Sequence, residues 1–182
     1  MSNPWNRAAA GAPLVWPYGA AGASGDNFSG LPNGQAKCVG VVQPATLTAP
    51  LGDLIIPPWK ITFASGPTTG ATFSRYILAS EDNTTPVWPG GISPTSSSDQ
   101  SAALAALLAY DPQFASLALL DQLVLSNSVT TYYTRWHGLR GIFTDGNVPT
   151  FITILCYNQS GVALATYSAG NQVTTYVTDV YN

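Results

Sequence analysis

Charge is what this sequence has least of. Only 8% of its 182 residues are Asp, Glu, Lys or Arg, where an average soluble domain carries about 25%. The positive side rests on two lysines, Lys37 and Lys60, and four arginines, and the net formal charge is −3. No basic stripe is present to neutralise phosphates, which argues against nucleic acid as a partner. A single histidine, His137, leaves little for acid–base chemistry. No run of about 18 apolar residues occurs, so no membrane span is expected. The first 25 residues lack a basic segment followed by an apolar core, so no signal peptide is expected either. Cysteine is nearly missing too. Cys38 and Cys156 sit in apolar, strand-like surroundings and read as buried free thiols rather than a disulfide.

What is present is a foldable chain. Aromatic residues make up 11% and hydrophobic residues 46%, unlike a disordered chain, which is highly charged and poor in aromatics. With so little charge, solubility rests on Ser, Thr, Asn, Gln and the backbone. A surface poor in Lys and Glu suits a protein packed against neighbours, because those residues are depleted at interfaces.

Residues 1–34 are rich in Ala, Gly, Pro and Asn and follow neither a two-residue nor a 3.6-residue period. They read as an extended arm whose Trp5, Trp16 and Tyr18 dock on this domain or on a neighbour. Residues 35–182 read as one β-sandwich domain. "WKITFAS" alternates, with Trp59, Ile61 and Phe63 on one face and Lys60, Thr62 and Ala64 on the other. "TFSRYILAS" follows the turn-like "GPTTG", which suggests a hairpin. "TFITILCYN" sets Ile152, Ile154 and Cys156 on an apolar face, and "GVALATYSA" and "NQVTTYVTDVYN" read as closing strands. Asp145–Gly146 marks a tight turn.

One helix interrupts this pattern. In "SSSDQSAALAALLAYDP", Ser97 and Gln100 have capping-box spacing, Leu104, Leu107 and Leu108 form a stripe, and Asp111–Pro112 is the stop. A strand is expected from about Leu117. Seven or eight strands, 17 glycines and 14 prolines point to an all-β, jelly-roll-like sandwich with one short helix.

Catalytic and metal signatures are weak. No G-x-S-x-G elbow supports a Ser-His-Asp triad, and His137, beside Trp136, reads as a packing or interface residue. Glu81–Asp82–Asn83 lacks the alternation of a calcium loop. No enzyme activity, metal or cofactor is therefore expected. "PVWPGGISP" is a shaped loop carrying Trp88, which either offers a platform for a sugar ring or protein partner or folds back over the sheet. Arg135, Trp136 and Arg140 form the densest cationic–aromatic cluster, a composition common at interface hot spots. An internal salt bridge, for instance to Asp145, is the competing account. The sequons at Asn27, Asn83 and Asn158 mean little without a secretory signal.

Two stretches carry a resemblance. "YILASEDNTTPVWPGGIS" is similar to the V-Y-L-x-A-S-x-D-G-x strand and loop of small β-sandwich proteins in tailed-bacteriophage structural modules, with Asn83 where that pattern often has Gly. "VPTFITILCYNQSGVALA" is similar to their later strand pair, joined through N-x-[ST]-G-x-x-L. The resemblance covers roughly residues 58–180. It implies a virion component that contacts itself and other virion proteins: a capsid decoration (cement) protein, or a collar or tail-fibre-associated one. Binding of a host-surface glycan through the Trp88 loop is the alternative. The partner-binding residues expected on this reading are Trp5, Trp16, Tyr18, Trp88, Arg135, Trp136 and Arg140.

Overall fold

The computed structural model describes residues 14–16, 28–38, 53–56, 59–80, 85–94, 98–110, 117–135, 137–138, 142, 149–166 and 175–180. Within them lie ten strands: β1 (Leu14–Trp16), β2 (Ala36–Cys38), β3 (Asp53–Ile56), β4 (Lys60–Thr62), β5 (Thr72–Ala79), β6 (Leu117–Val124), β7 (Thr131–Tyr133), β8 (His137–Gly138), β9 (Ile152–Gln159) and β10 (Thr175–Val180). One helix, α1 (Ser101–Tyr110), and a 3₁₀ turn at Pro89–Gly91 complete the described elements. All strand pairs among the described residues are antiparallel, and these residues form an all-β fold with a single short helix, as expected. No helix among the described residues is long and apolar enough to cross a membrane.

The central sheet has the order β2-β9-β5-β6. β9 and β5 pair over eight residues, from Thr72 opposite Gln159 to Ala79 opposite Ile152. Both strands are buried on both faces, which is why they read as almost unbroken apolar runs. On one face Phe73, Ile77, Ile152, Ile154 and Cys156 pack against Trp59, Ile61, Phe63, Phe28 and Leu31. On the other, Leu78, Leu155, Cys38 and Ala36 pack against Ile92, Leu104 and Leu107. The remaining sheets are β1-β10-β3-β8 and the pair β4-β7.

The alternation in "WKITFAS" holds, with Trp59, Ile61 and Phe63 buried. The hairpin expected after it does not form. β4 pairs with β7, and β5 pairs with β6 and β9. The connection instead steps from one layer to the other: Thr68 N donates to Ser160 O at 2.7 Å and Gly70 N to Leu125 O at 2.9 Å. Each strand has a bulky apolar face, and these faces bury more when stacked than when set side by side. Phe63 and Phe73 accordingly meet edge to face at 6.2 Å. Gly66 is required in this step, because a Cβ there would run into the Asn127 carbonyl.

Of the two expected closing strands, the later forms, as β10, and the earlier is not a strand over its described residues, 161–166. "GVALATYSA" gives a single bridge, Leu164 to Phe63, because its amides are shared: Leu164 N bonds Leu31 O at 3.0 Å and Ala165 N bonds Thr62 O at 2.8 Å. Phe28 and Leu31, within the stretch read as an arm, are fully buried core residues, and β1 pairs with β10. Cys38 and Cys156 are both buried, and neither is in a disulfide. They lie in different cores, one on each side of the sheet. The Asp145–Gly146 turn and the Asp111–Pro112 stop lie outside the described residues.

The helix start also differs from the capping box. Gln100 is the residue before the first helical turn, its carbonyl accepting from Leu104 N at 2.9 Å. Its side chain turns back to Ser93 N and Ser98; Ser97 lies outside the described residues. The carboxylate that serves the helix is Asp99, which accepts from Ser101 N at 3.0 Å, Ser101 Oγ at 2.7 Å and, across to β2, Ala36 N at 2.8 Å. Leu104 and Leu107 face the core, but Leu108 is exposed, because ten residues of helix cover only part of the sheet.

Burial pushes the Asp99 carboxyl up, yet the Ser101 hydroxyl, the Ala36 and Ser101 amides and nearby Lys37 outweigh it, so its pKa falls below 3.8. A depressed folded-state pKa contributes stability that is present above the unfolded value and lost as pH falls through the folded one. Asp99→Ala is expected to cost about 1 kcal/mol at neutral pH. The gap between variant and wild type should close below pH 3.8, which urea titrations at several pH values would show.

Candidate functional site

A buried polar cluster is built from β5, β6 and β8. Arg75 and Asp121 stand directly opposite each other on β5 and β6. The Arg75 side chain is wholly buried, and Nη2 approaches Asp121 Oδ2 at 2.5 Å. Arg75 Nε donates to both carboxylate oxygens, at 3.1 and 3.3 Å. Nη2 also reaches the Arg135 carbonyl at 3.3 Å. The guanidinium lies over the Trp59 ring, 4.7 Å from its centroid, so an aromatic face covers the charge where no water can. Nη1 is buried without a hydrogen-bond partner among the described residues.

His137 completes the cluster. Its Nε2 lies 3.0 Å from Asp121 Oδ2, and its side chain is 19% exposed. Facing a guanidinium, the carboxylate only accepts, so the tautomer that satisfies the pair has Nε2–H donating. Asp121 thus takes N–H bonds from two residues at once. A carboxylate held this way orients and tethers an imidazole, but its negative charge is already met by Arg75. No hydroxyl is hydrogen-bonded to His137 among the described residues, so the pair has no nucleophile aligned with it there. Nor do the described residues hold a group of three or more His, Cys, Asp or Glu side chains placed for a metal ion.

Cys156 stands opposite Arg75 on the other neighbouring strand, β9. Burial drives its thiol pKa well up, against the lowering influence of Arg75. It is therefore an inert core thiol rather than a reactive one.

Of the residues expected to bind partners, only Trp16, Trp88 and Arg135 are among the described residues. Trp88 is half-buried, starts the 3₁₀ turn and packs against the helix-side core, so it folds back on the sheet. Arg135 is exposed and contributes only its carbonyl to the cluster. Trp16 lies on β1, where backbone pairing alone is described. Trp5, Tyr18, Trp136, Arg140 and Glu81–Asp82–Asn83 lie outside the described residues. The sequon at Asn158 is buried, and its Nδ2 donates to Leu31 O at 2.9 Å and Val162 O at 2.8 Å. It is a structural amide.

Arg75 and Asp121 escaped the sequence reading, although each is the lone charge in an apolar strand run, "TFSRYILA" and "LALLDQLV". Two such charges of opposite sign in one domain are candidates to neutralise each other, since neither can be buried alone. No family model and no curated protein matches this chain.

Asp121→Asn, which strands Arg75 in the core, is expected to cost about 3–5 kcal/mol in urea unfolding. The double replacement Arg75→Met with Asp121→Leu should be more stable than that single variant. His137→Ala should cost less, about 1 kcal/mol.

Proposed function

We propose that this chain is a structural component of a tailed-phage virion, a capsid decoration protein that stabilises the particle through contacts between subunits. The observation that carries this reading is where the charge has gone. The one buried pair of opposite charges among the described residues, Arg75 and Asp121, is consumed inside the core. The exposed surface meanwhile shows Leu119, Val124 and Tyr133, at 53%, 70% and 65%. Such a surface is poorly suited to a free, concentrated monomer and well suited to repeated burial against neighbours. The sequence resemblance to phage β-sandwich proteins supports the same reading, and the jelly-roll-like sandwich belongs to it. Across many symmetric copies, each apolar contact adds about 25 cal/mol per Å² removed from water.

The single imidazole is tethered to a carboxylate already neutralised by arginine, which favours a scaffold role for the cluster over turnover. Trp88 is largely spent on the helix-side core, which weighs against a glycan platform. The expected result is that the protein co-purifies with particles, and that particles lacking it lose infectivity sooner on heating or chelation. Equal robustness without it would point instead to a collar or tail-fibre position.

A further inference from the structure

We infer that Asn33–Gly34 is a latent self-modification site, which the turn at the end of β9 holds shut. In an Asn-Gly pair the backbone amide readily attacks the side chain before it, because glycine has no Cβ to obstruct the approach. The Gly34 nitrogen adds to Asn33 Cγ and loses its proton, the bond from Cγ to the side-chain nitrogen breaks, and ammonia leaves. Water then opens the cyclic imide at one of its two carbonyls. The product is aspartate, or isoaspartate, in which the backbone runs through the side chain. Water is the only co-reactant, and both residues are exposed to it. On sequence and exposure alone, Asn33 would convert readily.

Three features of the fold oppose the first step. Gln35 N donates to Pro32 O at 3.4 Å, Asn33 has no positive φ, and Gly34 has φ of 79°. That combination is a type II turn, with ψ of Asn33 near about +120°. Ring closure needs the Gly34 nitrogen swung round toward Cβ of Asn33, and this turn directs it away. The nucleophile is also engaged, because Gly34 N donates to Asn158 O at 2.6 Å. The electrophile is pinned as well, its Oδ1 accepting from Gly161 N at 2.7 Å.

Both partners belong to one braced turn. Ser160 N donates to Asn158 Oδ1 at 3.1 Å, Ser160 Oγ to Val162 O at 2.7 Å, and Asn158 N to Gln35 O at 3.0 Å. The Gly161 contact also has a second effect. An N–H bonded to Oδ1 draws electrons from Cγ, so it favours attack once the Gly34 nitrogen is released and turned. Loss of the bond from Gly34 to Asn158 is therefore the event that makes the site reactive. Conversion cannot be undone by reclosing. An isoaspartate adds a methylene to the backbone between Leu31, bonded to Leu164 N, and Ala36, opposite Tyr157, and the longer chain no longer fits between those anchors.

The inference is independent of any role in a particle. The full chain is held in mildly alkaline buffer, once folded and once unfolded in urea, and conversion at Asn33 is followed by peptide mass spectrometry. The folded chain should convert about tenfold or more slowly, because only molecules with this turn open can react. The Gly34 amide should likewise exchange its hydrogen far more slowly in the folded chain. Ser160→Ala removes a hydroxyl that braces the turn and touches neither Asn33 nor Gly34, so it should speed conversion in the folded protein. Equal conversion in folded and unfolded chains, or a Gly34 amide that exchanges at the unfolded rate, would overturn the inference, and both are read on the wild type. A folded Ser160→Ala chain that converts no faster than wild type would overturn it too.

Discussion

A guanidinium placed in the middle of a β-sheet has few tolerable surroundings, and much of this structure can be read as meeting its requirements. Arg75 sits on β5, with β9 on one side and β6 on the other, and its side chain points into the core between the sheet and Trp59. Desolvating it costs several kcal/mol unless a carboxylate and good hydrogen bonds compensate. That demand fixes where Asp121 must fall, and so fixes the register of β6. It selects an aromatic face to cover the charge, and it draws in the Arg135 carbonyl beyond β7. Through Asp121 it also reaches His137 on β8, which belongs to a different sheet. One buried charge pair thereby ties together parts of the chain between 16 and 60 residues apart. A purely apolar core would pack with less regard for register, which is the usual argument for keeping such a pair.

The sequence revealed the individual strands more readily than their partners. The two-residue period of Trp59, Ile61 and Phe63 and the apolar run of β9 are local patterns, so each could be read directly. Strand pairing is decided by contacts far apart in sequence. "GPTTG" looked like a hairpin turn because it is short and Gly-rich, yet its hydrogen bonds go to Ser160 and Leu125, residues no local pattern associates with it. The helix was legible from its alanines, but its cap was not, because the decisive acceptor, Asp99, also serves Ala36 on β2. Arg135, Trp136 and Arg140 are the dense cationic group in the sequence, but the charges that hold the polar cluster are the isolated Arg75 and Asp121. In a chain with so few ionisable groups, isolation in an apolar run was the better signal.

The N-x-S-G-x-x-L stretch that prompted a family resemblance has a physical account of its own. Asn158 Oδ1 accepts from Ser160 N at 3.1 Å, and Ser160 Oγ donates to Val162 O at 2.7 Å. Gly161 has φ near 86°, and a Cβ there would meet the Thr68 hydroxyl. Leu164 returns the chain to the core. The same turn anchors residues 31–35, through Asn158 and through Gly161 N donating to Asn33 Oδ1 at 2.7 Å. Each residue type in the motif answers a local geometric need. The motif therefore reports a way of closing a strand.

The two cysteines carry a last consequence. Because Cys38 and Cys156 lie on opposite sides of one sheet, the backbone itself stands between their sulfur atoms, and neither can reach the other while the fold is intact. A strained or accessible dithiol would tie stability to the redox potential of its surroundings. Here the covalent structure is the same in a reducing cell interior and in an oxidising exterior. A protein built this way can cross from one to the other with no change in its bonds.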